Sequence, residues 1–258
     1  MNDHYFTPDP GAASAPRALV YTLPWGELRL TADNGVFSKD GVDKGSDLLI
    51  RSLPDWQGRM LDLGCGYGWH CKFAEEQGAT KILGIDLSKK MIEEAQKRNS
   101  GNQIEYRISG LEEYDYPENE WDCVISNLAL HYIEDIVEIF QKVYRTLKPG
   151  GIFLFNIEHP VFTAGVGQDW IYTDDGKPQY WAIDNYFITG ERNTHFLGCD
   201  VVKQHHTLTQ IIMGLLNNGF ELKVVEEAEP PKEMMDIPGM EDELRRPMML
   251  LVKAIAKK

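Results

Sequence analysis

Met60-Leu61-Asp62-Leu63 is a short apolar run with one acid inside it, bounded by Gly58 and Gly64, and reads as a parallel strand buried on both faces. Residues 69–77 follow with helical character: Phe73 and Ala74 are apolar, Lys72, Glu75 and Glu76 polar. Residues 81–86 form a second apolar run ending in Asp86, and residues 88–98 predict an amphipathic helix. Its apolar side carries Met91, Ile92 and Ala95, its polar side Lys89, Lys90, Glu93, Glu94 and Lys97. A third strand is expected over 103–108 and a fourth over 121–126. A helix over 133–147, stopped by Pro149-Gly150, leads to a fifth strand over 151–157. The alternation lapses until a helix over 210–218, ended by Gly219, and strands near 220–225 and 248–256. Strands that alternate with helices in this way predict a doubly wound α/β sheet.

Ahead of this body, residues 1–16 read as a loose arm rich in proline and alanine. Tyr21-Thr22-Leu23 and Glu27-Leu28-Arg29-Leu30 predict a hairpin across Pro24-Trp25-Gly26. A helix is expected from about Ser46, capped by Ser46 or Asp47, with Leu48, Leu49 and Ile50 toward the core. The chain is thus divided into an arm and hairpin over 1–45 and a main domain over 46–258.

Composition narrows the classes of function. The 258 residues carry a formal net charge of −14, and no basic cluster exceeds Leu244-Arg245-Arg246 or the Lys257-Lys258 end, which opposes a nucleic-acid partner. No apolar run is long enough for a membrane span, and Met1-Asn2-Asp3-His4 does not open a signal peptide, so a cytoplasmic protein is expected. Cys65, Cys71, Cys123 and Cys199 lack C-x-x-C spacing and read as reduced thiols; no metal site is expected.

Gly64, Gly66 and Gly68 stand at alternate positions between the first strand and its helix. Such a turn lets a ligand lie directly on the backbone, before the free N–H groups of a helix start. Asp86 follows about twenty residues after the glycines, where a nucleotide-binding βαβ unit keeps its ribose carboxylate. The alternative for Asp86 is a cap for the helix that begins near Ser88. The G-x-G-x-G spacing departs from the G-x-G-x-x-G that cradles a dinucleotide pyrophosphate.

Leu61-Asp62-Leu63-Gly64-Cys65-Gly66-Tyr67-Gly68 resembles the first motif of class I S-adenosylmethionine-dependent methyltransferases. The resemblance continues through Asp86-Leu87, Ser126-Asn127-Leu128-Ala129-Leu130-His131-Tyr132 and Leu147-Lys148-Pro149-Gly150-Gly151, covering about residues 58–157. It implies a seven-stranded Rossmann-like sheet, mainly parallel with the last strand antiparallel, and S-adenosylmethionine as cofactor. It also implies that the cofactor lies across Asp62, Gly64, Cys65, Gly66, Tyr67 and Gly68, with Asp86 on the ribose hydroxyls. Leu87 and Leu111 would border adenine, and Asn127 and His131 the methionine end. Gly110 stands where the family often has an acid, so main-chain groups over 109–111 would read the adenine.

Residues 158–207 form an insertion dense in aromatics, among them Phe162, Trp170, Tyr172, Tyr180, Trp181, Tyr186, Phe187 and Phe196. Leaving the carboxyl end of the fifth strand, it would cover the ligand crevice as a lid, or form an extra hydrophobic mini-core. Methyl transfer needs alignment, a dry pocket and sometimes a base. The candidates at strand ends and in the insertion are His131, Glu158, His159, Tyr172, Tyr186, Arg192, His195, His205 and His206. His159, beside Glu158 and held by Pro160, is the first choice of base, and His205 the second. The segments 158–163 and 202–207 resemble those of a bacterial set of uncharacterised methyltransferases, with Gln204 and His206 departing from its pattern.

The segment Gly35-Val36-Phe37-Ser38 resembles another branch, the guanine-N2 methyltransferases of small-subunit ribosomal RNA. Those enzymes carry Asn-Pro-Pro after the fourth strand, where this chain has Asn127-Leu128-Ala129, which argues against base methylation. The expected function is methyl transfer to an O, N or C nucleophile of a small-molecule acceptor. The alternatives are an RNA base methyltransferase and a non-catalytic protein that binds the cofactor.

Overall fold

The strand β3 (Arg59–Leu63) lies at the heart of a seven-stranded sheet with the order β12-β13-β7-β6-β3-β4-β5. A computed structural model describes residues 17–23, 26–32, 49, 51–52, 58–196, 199–230, 232, 235–236 and 238–258. The expected arm over 1–16, the segment 35–38 and the helix start near Ser46 lie outside these residues, although Leu49 is fully buried in the core. The expected hairpin is present as β1 (Arg17–Leu23) paired antiparallel with β2 (Gly26–Ala32).

The sheet's other strands are β4 (Lys81–Asp86), β5 (Ile104–Ile108), β6 (Trp121–Asn127), β7 (Leu147–Glu158), β12 (Phe220–Glu227) and β13 (Met249–Ala256). The pairs β3–β4, β4–β5, β3–β6 and β6–β7 are parallel. The last strand, β13, runs antiparallel between β7 and β12. Alternate strand residues point to opposite faces and build two cores. Leu61, Leu63, Val124, Phe153 and Phe155 pack with Phe140 and Val143 of α3 (Ile136–Thr146) and Leu215 of α5 (Leu208–Asn217). Met60, Ile82, Ile125 and Leu154 pack with Cys71 and Ala74 of α1 (Trp69–Glu76) and Ile92 of α2 (Lys89–Arg98). Gly214 lets α5 approach α3, since a Cβ there would meet Val137 Cγ2 at 3.1 Å.

Two boundaries differ from the sequence expectation. Leu130–Tyr132 is a separate 3-10 turn, and α3 begins only at Ile136, where the Asp135 side chain accepts the Glu138 N–H at 2.9 Å. The helix ends at Thr146 rather than against Pro149-Gly150, because Leu147 is already extended and pairs with Trp121. Proline disfavours helical geometry in the residue before it. Lys148 to Gly151 therefore form a bulge, from which Lys148 Nζ reaches the Asp122 carboxylate at 2.7 and 2.8 Å.

The insertion contains a short helix, α4 (Pro160–Thr163), and two antiparallel hairpins. These are β8 (Gly165–Tyr172) with β9 (Pro178–Ile183) and β10 (Gly190–Phe196) with β11 (Cys199–His205). Phe162 stacks on Trp181 at 5.1 Å, and Trp170 meets Trp181 edge-on at 5.5 Å. Arg246, from the irregular stretch before β13, closes this ring cluster. Among the described residues, no helix is long and apolar enough to cross a membrane.

Candidate active site

The turn after β3 is built from left-handed glycines, with φ of 76° at Gly64, 52° at Gly66 and 75° at Gly68. Gly64 and Cys65 donate their N–H groups to the Ile85 carbonyl, both at 2.9 Å. A Cβ on Gly64 would fall 2.4 Å from Ala129 Cβ, so the turn packs against the loop after β6. Gly66 donates its N–H to Asp86 Oδ2 at 2.9 Å, and Ser88 donates to Asp86 Oδ1 at 2.8 Å. The cap of α2 is the Ser88 side chain, which accepts the Met91 N–H. Asp86 instead ties the glycine turn to the end of β4. Burial raises its carboxyl above the usual range, offset in part by these two hydrogen bonds.

Leu87 is 72 % exposed, and Ile108, paired with Asp86 across β4 and β5, is 52 % exposed. Together they leave an apolar ledge beside the carboxylate, and Ile108 is a neighbour of Asp86 that the sequence did not single out. Ser109 donates its N–H to the Asp86 carbonyl, which brings Gly110 to the same place, while Leu111 turns into the core. The Tyr67 carbonyl accepts from Asn99 Nδ2 at 2.7 Å.

Asp62 is fully buried on the α1 side of β3. Cys71 Sγ donates to its Oδ2 at 3.4 Å and His70 Nδ1 lies 3.7 Å from the same oxygen, while Oδ1 has no partner. Burial pushes its carboxyl up to about 7 and the His70 imidazolium down to about 3. A buried carboxylate oxygen with nothing to accept suits a cationic ligand group. Together with a glycine turn and an apolar ledge beside Asp86, it fits a ligand carrying a sulfonium and an amino group far better than a pyrophosphate.

At the carboxyl ends of β6 and β7 lies a second polar group. Asn156 Nδ2 donates to Asn127 Oδ1 at 2.9 Å, joining the two strands. Two residues on, Glu158 accepts from Lys203 Nζ of β11 at 2.6 Å, and Lys203 also donates to Gln168 Oε1 at 3.3 Å. His131 Nε2 is 4.0 Å from Glu158 Oε1. These three side chains are 3 %, 7 % and 1 % exposed for His131, Glu158 and Lys203, yet Glu158 Oε2 and His131 Nδ1 have no partner. Burial holds the His131 imidazolium down at about 4, so the ring is neutral near pH 7. Lys203, which reads as an ordinary strand lysine, was not selected from the sequence.

The other histidines are committed elsewhere. His159 Nδ1 accepts the Val161 N–H at 3.0 Å, so its proton sits on Nε2, which faces Glu227 Oε1 at 2.9 Å. His205 Nε2 lies 2.8 Å from the Tyr186 carbonyl, which can only accept, and Nδ1 lies 2.7 Å from Thr163 Oγ1. Burial lowers both imidazolium groups. In the neutral state neither ring has a free lone pair, and both pin the insertion. His206 Nε2 donates to the Ile133 carbonyl at 2.8 Å, and the Tyr186 hydroxyl accepts from the Leu208 N–H. Tyr172, His195 and Arg192 pair with Asp169, Asp200 and backbone carbonyls outside this group.

This fold and glycine turn define a nucleotide-type cofactor site at the carboxyl ends of a doubly wound sheet. Residues 61–155 match the family described as methyltransferase domain. A solved structure from Listeria monocytogenes, assigned as an S-adenosylmethionine-dependent methyltransferase, is 45 % identical with a TM-score of 0.80, covering 83 % of this chain and 97 % of that one. An S-adenosylmethionine-dependent methyltransferase of Mesorhizobium loti is 38 % identical with a TM-score of 0.75, covering 83 % and 98 %. A Haemophilus influenzae protein of uncharacterized function is 30 % identical over 218 residues, 80 % of this chain and 84 % of that protein. The chain belongs to the class I S-adenosylmethionine-dependent methyltransferases, and S-adenosylmethionine is its cofactor.

Proposed function

We propose that this enzyme methylates a small-molecule acceptor enclosed between the carboxyl ends of β6 and β7 and the 158–207 insertion. The observation that carries this reading is the buried group of His131, Glu158 and Lys203, which has unpartnered polar atoms on His131 and Glu158 and is roofed by β11. A site this enclosed suits a small ligand better than a polynucleotide, and the net charge of −14 points the same way.

When bound, S-adenosylmethionine supplies an electrophilic methyl group on a sulfonium leaving group. The main chain of Gly64, Cys65, Gly66, Tyr67 and Gly68 supports it, and the remaining lone pairs of Asp86 take the ribose hydroxyls. Leu87 from the open side and Leu111 from the core side border the adenine, beside the main chain at Gly110. Asp62, Asn127 and His131 line the methionine end. The insertion, held down by His205 and His206, excludes water and orients the acceptor. His159 and Glu158 anchor the start of the insertion, His159 through Nδ1, and Glu158 Oε2 is available to the acceptor.

The test is incubation with S-adenosylmethionine labelled on the methyl group and a cell extract, followed by size fractionation. Label in the low-mass fraction is expected. Label confined to RNA or protein would overturn the small-acceptor reading.

A further inference from the structure

Resting on that reading, we infer that His131 is the catalytic base, that Glu158 orients it, and that the acceptor's nucleophile is a neutral hydroxyl. The loop that carries His131 reaches both halves of the site. Ala129, two residues before it, packs against Gly64 of the glycine turn, and His131 Nε2 itself approaches Glu158 Oε1 at 4.0 Å. The carboxylate favours the tautomer with its proton on Nε2, which leaves the ring's lone pair on Nδ1. That nitrogen, turned away from Glu158, is buried and without a partner. Lys203 Nζ holds Glu158 Oε1 at 2.6 Å, and the Tyr132 ring lies 4.4 Å from the imidazole, so both partners are fixed in place. His159 and His205, by contrast, have both ring nitrogens engaged. Burial, with Lys203 and His206 and against the pull of Glu158, holds the His131 imidazolium down at about 4, so the base is unprotonated near pH 7.

The charges of the group select the nucleophile. The Glu158 carboxylate and the Lys203 ammonium cancel and the ring is neutral, so there is no surplus charge to draw a carboxylate or an ammonium acceptor. A neutral amine is methylated without a base, because its ammonium product keeps its hydrogens. A hydroxyl has to shed its proton, and an unpartnered basic nitrogen serves that need. In the step, the hydroxyl proton passes to His131 Nδ1 and an oxygen lone pair forms the O–C bond. The C–S bond breaks and its electron pair stays on sulfur. The products are a methyl ether, a neutral thioether and the His131 imidazolium. Positive charge thus moves from the sulfonium to a ring beside the Glu158 carboxylate, which stabilises it. The 4.0 Å separation closes as that charge arrives, since catalytic hydrogen bonds tighten in the reacting complex.

The full-length protein, carrying histidine labelled with nitrogen-15 and saturated with S-adenosylhomocysteine, is examined by NMR. The His131 signal is assigned by its loss in His131→Gln, or by its contact with Tyr132 if that variant does not fold. A ring protonated on Nε2 is expected, shifting toward the Nδ1–H tautomer in Glu158→Gln. In parallel, saturating methyl-labelled S-adenosylmethionine is turned over with the low-mass fraction of a cell extract. The rate is expected to fall about 100-fold or more in His131→Gln and about tenfold or more in Glu158→Gln. Thermal melting controls for folding. If Glu158→Gln unfolds with Lys203 unpaired, the double variant Glu158→Gln with Lys203→Met removes both charges and serves instead. The labelled product is expected to resist mild alkali and to release its methyl group to hot hydriodic acid, as an ether does. A proton on Nδ1 of the wild-type ring, unchanged turnover in folded His131→Gln, or low-mass label recovered as an ester or a methylamine would overturn the base assignment and leave the small-acceptor reading standing. Absence of low-mass label would remove both.

Discussion

Asp86 and Gly66 are joined across twenty residues by a 2.9 Å hydrogen bond from the glycine N–H to Oδ2. The carboxylate proposed to hold the ribose hydroxyls is therefore also a clamp on the glycine turn, and its loss has two separable effects. Asp86→Ala is expected to weaken S-adenosylmethionine binding by roughly 1.5–3 kcal/mol if the ribose bonds are charge-assisted. It also unpairs the Gly66 and Ser88 N–H groups, which destabilises the cofactor-free protein by about 1–3 kcal/mol. Calorimetric titration reads the first and denaturant unfolding the second. Wild-type unfolding of the cofactor-free variant would remove the clamp.

Asp62 makes stability depend on pH. Its folded carboxyl is pushed up to about 7 by burial, above the ordinary value of 3.8. The native state thus holds a proton that the unfolded chain releases, and stability is fully present below the unfolded pKa and lost as pH rises toward 7. The span corresponds to at most about 4 kcal/mol. Asp62→Asn is expected to flatten the decline between pH 4 and pH 8 in the cofactor-free protein, measured by urea unfolding. An identical pH slope in the variant would show that Asp62 does not titrate in this range.

Gly64 and Gly150 separate backbone strain from steric contact. Their φ angles are 76° and 77°, but a Cβ on Gly64 would lie 2.4 Å from Ala129 Cβ, while one on Gly150 meets nothing within 4 Å. Gly150→Ala is expected to cost about 1–2 kcal/mol for the left-handed backbone alone. Gly64→Ala adds overpacking of roughly 1–3 kcal/mol and weakens cofactor binding by displacing the turn from the Ala129 loop. Unfolding free energies of both variants check this, and equal losses would mean that the contact is relieved without cost.

These contrasts explain what was legible in the sequence. The inner strands β3, β4, β6, β7 and β13 are buried over most of their length, and their apolar runs declare themselves locally. The glycine turn and Asp86 lie within one βαβ unit, where spacing alone carries the information. The group at the ends of β6 and β7 is only half legible that way: Glu158 stands out at a strand end, but Lys203, its partner 45 residues on, looks like an ordinary charged residue in its own strand. His159 and His205 were legible as histidines near strand ends. Their engagement depends on Glu227, Tyr186 and Thr163, contacts made only when the insertion folds back. Asp135 was available as a helix cap, yet the apolar Ile133 drew the expected helix start three residues too early, ahead of Ile136.

Arg246 is the furthest from anything the pattern announces, because its ring partners lie more than sixty residues away. Its guanidinium lies 4.9 Å from the Phe162 ring, 4.5 Å from Trp181 and 5.5 Å from Trp170. Glu243 fixes it from behind through two hydrogen bonds of 2.9 and 3.0 Å. Arg245 adds a bond to the Pro178 carbonyl at 3.0 Å and another to that of Gln179. The stretch before β13 therefore holds the first hairpin of the insertion through two neighbouring cations, the buried Arg246 and the more exposed Arg245. Arg246→Ala is expected to destabilise the protein by about 2–4 kcal/mol, combining lost cation–π contact with the emptied space. Arg246→Lys keeps the charge but loses the planar fork that serves Glu243 and the rings together, so its loss falls between. Thermal melting ranks the three proteins, and a red shift of tryptophan emission in the alanine variant reports that Trp170 and Trp181 have opened to water. A variant that melts and emits like wild type would mean that the ring stack holds without its cation.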